Sequence, residues 1–235
     1  MFGIKTTLSI IVMCSFMAGA AQANSQLTVS VYNDARIPQA KLQRAEDIAA
    51  RIYRQAGIAI EWRDGTRPSS VASLANSLER GTSLSLTLRI VSSPRTLSDE
   101  DFGVAFVGDD GRAQQADVFF SSIEHFKETI EHFRETTPAS TPAILGHVMA
   151  HELGHLLLGQ KSHSQTGIMQ ARWEAAQLRQ LSMGVLYFNK RESDRILTRL
   201  SDSNFSRFTA PPPPGAEIQP TVQAAAFGPS GSPLR

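Results

Sequence analysis

Apolar and polar residues alternate along LTVSVYND, residues 27–34, the period of a strand with one buried face. After Pro38 the period changes. Leu42, Ala45, Ile48, Ala49 and Ile52 recur at helical spacing and predict a helix running to about Gln55, where Gly57 ends it. IAIEW (58–62) and SLTLRIVS (85–92) read as a second and a third strand, with a loop and a short helix over 70–78 between them. DFGVAFVGDDG (101–111) reads as a short strand closing on a turn rich in Asp and Gly. ADVFFSSI (116–123) reads as a fifth strand and HFKETIEHFRE (125–135) as a helix. A long helix is predicted over 141–158, with Thr141 as its cap and Pro142 at its first position. Two more helices are expected near 173–181 and 190–200. Strand, helix and four strands followed by helices describe an α/β (α+β) domain: a mixed twisted sheet of about five strands with a helical C-terminal half.

The two ends do not share this pattern. Residues 1–23 carry one lysine, an apolar run from Leu8 to Phe16 and then Ala21-Gln22-Ala23, a small-x-small cleavage site. They read as a secretory signal peptide, which implies an extracytoplasmic protein, secreted or periplasmic, starting near Asn24. The apolar run is short for a span of about 20 residues, so no stable membrane span is expected after cleavage. Residues 209–235 hold seven of the twelve prolines and read as a disordered tail. The folded domain is therefore expected over 24–208. Cys14 is the only cysteine and leaves with the leader, so no disulfide and no thiolate ligand is expected. Without Lys5 the remaining 22 basic and 22 acidic residues balance. With no dense basic stripe, a nucleic-acid partner is not expected.

Chemistry is concentrated in HVMAHELGHLLLGQKSHSQTGIM, residues 147–169, which holds four of the six histidines. On a helix His151 and His155 lie on one face, one turn apart, and can hold one metal ion. Glu152 is turned about 100° away. It can reach a water at the metal without being a ligand. This is His-Glu-x-x-His, in which two imidazoles hold zinc and the glutamate is the general base. The flanking residues Ile144, Leu145, Val148, Met149, Leu153, Leu156 and Leu157 predict a buried helix. Buried imidazoles and a carboxylate are costly without partners, and a metal supplies one. Gly154 lets another part of the chain approach the helix closely. His147 lies two turns from His155, about 12 Å along the axis, too far to share that ion. It reads as a core histidine or as a partner of a ligand. His125 and His132 read as a solvated helix face.

A catalytic zinc takes three protein ligands and leaves one position open. After Gly159 the chain offers His163, then Ser164 and Gly167-Ile168-Met169. A second candidate is Glu174, which follows His155 by 19 residues. The stretch resembles the metzincin zinc endopeptidases, whose signature is H-E-x-x-H-x-x-G-x-x-H followed by a methionine turn. His151, Glu152 and His155 match, Gly159 and His163 match in order with each gap one residue longer, and Met169 stands where the turn is expected. Ser164, after the third histidine, is similar to the matrix metalloproteases. The spacing of Glu174 resembles the pattern of thermolysin-like enzymes. The metzincin resemblance favours His163, because Gly159 and the Gly-Ile-Met turn then have a function.

The resemblance implies a metzincin-like fold, one catalytic Zn2+ held by His151, His155 and His163, and Glu152 as general base. It implies an endopeptidase with a peptide or protein substrate bound along an edge strand. Gly103–Val107 is the candidate edge, with Gly103 and Ala105 leaving room for the bound chain. Some metzincins stabilise the oxyanion with a tyrosine; Tyr187, in the apolar run VLYF, is expected in the core. Two other readings are a non-catalytic zinc-stabilised peptide-binding module and a zinc hydrolase of a non-peptide amide. Glu152 separates the first of these from catalysis, since a structural four-ligand site needs no base.

Overall fold

The computed structural model describes residues 25–66, 84–93, 101–108, 113–132, 139–159 and 163–202. The expected leader, the short helix over 70–78 and the proline-rich tail lie outside them. The described chain is a mixed α/β fold with a five-stranded sheet and five helices. It runs β1 (Ser25–Asn33), α1 (Gln39–Gln55), β2 (Ile58–Asp64), β3 (Leu84–Val91), β4 (Gly103–Val107) and β5 (Ala113–Phe119). The helices α2 (Phe120–His132), α3 (Thr141–Leu158), α4 (Ala175–Ser182) and α5 (Lys190–Ser201) follow.

The sheet order is β2-β1-β3-β5-β4. β1, β2, β3 and β5 are parallel, and β4 runs antiparallel to β5 at one edge. Alternation along β3 explains how the sheet is used. Leu84, Leu86, Leu88 and Ile90 are buried, while Ser85, Thr87, Arg89 and Val91 face away and are more exposed. Arg89 pairs there with Asp34 at 2.6 Å. α1 and α3 pack against each other, and both contact the sheet. They come close because position 146 carries no side chain: a Cβ there would lie 2.6 Å from the carbonyl oxygen of Ala45 and 2.8 Å from the Cβ of Ile48. Buried Tyr53 on α1 donates its hydroxyl to the carbonyl of Ala150 at 2.9 Å, fixing the two helices in register.

Several boundaries differ from the sequence expectation, the fifth strand already beginning at Ala113. The fifth strand stops at Phe119, and Phe120–Ile123 already belong to α2. The apolar run Val118-Phe119-Phe120 fits either state, and Ile123, Phe126 and Ile130, all buried, continue a helical period that starts earlier than residue 125. The cap of α3 is Ser140, whose hydroxyl accepts from the Ala143 amide at 3.3 Å. Thr141 is already helical. At the other end Gly159 adopts φ 59°, the left-handed conformation that glycine accepts without a Cβ penalty. Arg199 of α5 donates from Nη1 to the Leu158 carbonyl at 3.0 Å, satisfying one of the last orphan acceptors of α3. No described helix is long and apolar enough to cross a membrane.

Candidate metal centre

α3 is buried from Ile144 to Leu158, as its apolar composition requires. It carries His151 and His155 into the interior at 0% and 3% exposure. The third imidazole arrives by a turn. Gly167 has φ 79°, and the Ser164 amide donates to the Met169 carbonyl at 2.8 Å. The Ile168 amide donates to the Tyr187 carbonyl at 2.9 Å. The turn therefore folds back beneath the helix, and His163 meets the other two. Ring centroids stand 4.8 Å apart for His151 and His155, 4.9 Å for His155 and His163, and 5.4 Å for His151 and His163. One nitrogen from each ring lies within 4.8 Å of the others.

This donor set fits zinc. The Nε2 atoms of His151 and His155 are 3.1 Å apart, and two ligands on a tetrahedral ion at its usual bond length are separated by about 3.3 Å. His151 Nδ1 lies 2.7 Å from the Ile168 carbonyl. A carbonyl only accepts, so Nδ1 carries the proton and Nε2 offers its lone pair to the centre. His163 Nε2 is buried without a hydrogen-bond partner, a cost that a cation removes. Burial, and then the neighbouring His155, hold His151 well below the ordinary imidazole pKa. Burial also lowers that of His163. Both effects favour the neutral, ligating form.

Glu152 lies beside the trio and outside it. It is 1% exposed, and its Oε1 is buried without a hydrogen-bond partner. Burial, followed by the charges of Asp101 and Asp117, raises its pKa to about 8. A cation at the imidazoles opposes that shift and favours the carboxylate.

No family model matches the chain, and no curated protein matches it. Its structure is similar to a crystal structure of archaemetzincin from Methanopyrus kandleri, at 16% identity over 77% of this chain and 99% of that one, with a TM-score of 0.45. The site is therefore read from its own geometry.

Of the two candidates for the third position, the structure brings His163 to the pair and leaves Glu174 away from it. Glu174 is exposed and caps α4, its amide donating to Gln177 Oε1 at 3.2 Å. His147 stays out of the cluster. Its Nδ1 lies 2.7 Å from the Ala143 carbonyl, and burial lowers its pKa to about 4. His125 is exposed, as expected of a solvated face; the side chain of His132 lies outside the described set. Tyr187 is half-buried against the core and lends its carbonyl to the turn.

Gly154 has the close approach that the sequence suggested. A Cβ there would lie 2.6 Å from Met169 Sδ and 2.9 Å from Phe188 Cε1. Met169 is fully buried and packs against the helix that carries the two histidines. Gly103 does not fit its expectation. Its vacant side-chain space is filled by Glu152 rather than left for a bound chain.

Three supporting residues have no local signal for their function. Trp173 donates its indole N–H to the Ile168 carbonyl at 3.2 Å, and its ring stands edge-on to His151 with centroids 6.1 Å apart. Asp101 is buried near Glu152. Glu192 accepts from the Asn189 amide and from Asn189 Nδ2, each at 2.8 Å, and from the hydroxyl of Ser164. The sequence Asn189-Lys-Arg-Glu192 spells a capping box. Nothing in it announces the bond to Ser164, the neighbour of His163.

Proposed function

We propose that the chain is a zinc-dependent endopeptidase of metzincin type, acting outside the cytoplasm on peptide or protein substrates. The observation that carries the reading is the convergence of three imidazoles next to a buried carboxylate that is not one of them. A purely structural site would use a fourth protein ligand and needs no base. When bound, zinc lowers the pKa of a water towards about 7 and polarises a carbonyl.

The chain's own groups supply the rest. His151, His155 and His163 hold the ion, and the Ile168 carbonyl fixes the His151 tautomer that does so. Glu152 takes the proton from the attacking water and passes it to the leaving amine. Its burial strengthens every electrostatic interaction in which it takes part. β4 lies at the sheet edge next to this carboxylate. Four of its five residues are buried, so what it offers an extended substrate is its backbone, as in strand addition.

The test is cleavage of an unfolded protein and of a mixed peptide library by the purified chain. Internal cuts that stop with a zinc chelator and return with added zinc are expected. Cleavage indifferent to chelation would contradict the reading. Hydrolysis confined to non-peptide amides would leave the zinc chemistry and remove the peptidase.

A further inference from the structure

The contact between the edge strand and Glu152 has a consequence for catalysis. Gly103 opens β4 and pairs with Val118 of β5. Its φ lies outside the left-handed region that four other described glycines occupy, so its backbone would accept any residue. Only space keeps a side chain away. A Cβ at Gly103 would stand 2.7 Å from each of Cγ, Cδ and Oε1 of Glu152. That is well inside van der Waals contact, and the obstructing atoms are two of the carboxylate and the methylene that carries it. Oε1 has no hydrogen-bond partner, so no described bond holds it where it lies against the strand.

We propose that Gly103 is a positioning residue for Glu152. The strand edge that takes the substrate and the group that moves the proton then share one contact, so the distance from base to bound peptide is set by β4 itself. The inference rests on Glu152 being the base. It adds that the glycine on the strand, and not a hydrogen bond, seats it.

A single methyl group tests this. Gly103→Ala must push the carboxylate aside by on the order of 1 Å, a misplacement worth about 100-fold in rate. On a peptide cleaved in the chelator-sensitive assay, kcat is expected to fall by about that factor, with KM and zinc affinity unchanged. A purely structural position would not give that split. The companion readout needs no substrate. Gly103→Ala should lower the melting temperature of the otherwise native chain. In a Glu152→Ala background it should not, because the atoms it strikes are gone. If Gly103→Ala fails to fold, the double variant should fold. Unchanged kcat, or an equal loss of melting temperature in both backgrounds, would overturn the inference. Absence of hydrolysis by the native chain would instead overturn the proposed function, and the melting-temperature comparison would still read the contact.

Discussion

Replacing Glu152 by alanine is expected to lower kcat by about 10²–10⁴-fold and to leave the metal in place. The two halves of this result have separate causes. The metal stays because the carboxylate is not among the three groups whose nitrogens converge. Its side chain packs instead against Gly103. Activity is expected to go because the group that takes the proton is removed, and water alone is a poor base. Folding should survive. The residue carries a buried atom without a hydrogen-bond partner, so its removal breaks no described bond at Oε1. Elemental analysis and steady-state kinetics on the same preparation check both halves. Retained hydrolysis would end the mechanism; lost metal would make Glu152 a ligand.

Replacing His163 by alanine is expected to raise the zinc dissociation constant by on the order of 100-fold or more, since total binding free energies of roughly 10–16 kcal/mol are shared among few ligands. Glu174→Ala leaves it unchanged. His163 brings a ring nitrogen to the pair and has a buried Nε2 without a partner, whereas Glu174 is an exposed residue at the start of α4. Alanine at 174 keeps the backbone amide that donates to Gln177 Oε1, so neither the helix start nor the affinity is expected to change much. Competition with a chromogenic chelator distinguishes the two variants. A large effect at Glu174 with none at His163 would reverse the assignment of the third ligand.

The sequence discloses this site unevenly, and the reasons are physical. His151, Glu152 and His155 stand on one helix, where spacing alone dictates direction. Strands β1 and β3 were equally legible, because one face of each is buried and the alternation shows it. Gly154 could be read as a close approach, since a glycine between two ligands of an apolar helix has few other uses. His163 is different. Its arrival depends on Gly167 at positive φ, on the carbonyl of Tyr187 and on Glu192 reaching Ser164. Those partners come from another part of the chain, so the spacing of histidines left Glu174 open as a rival. Gly103 failed for a related reason. A glycine on a strand announces that something approaches closely, but not whether it is a ligand or a side chain of the protein. The start of α2 was hidden by an apolar run that suits strand and helix alike.

The most direct test of the account is the zinc content of the purified chain, measured by elemental mass spectrometry after dialysis at neutral pH. The account predicts about one zinc per chain, lost in the His151→Ala and His155→Ala variants. A chain that stays folded yet takes up no zinc on reconstitution would contradict it, leaving three converging imidazoles with no ion to hold.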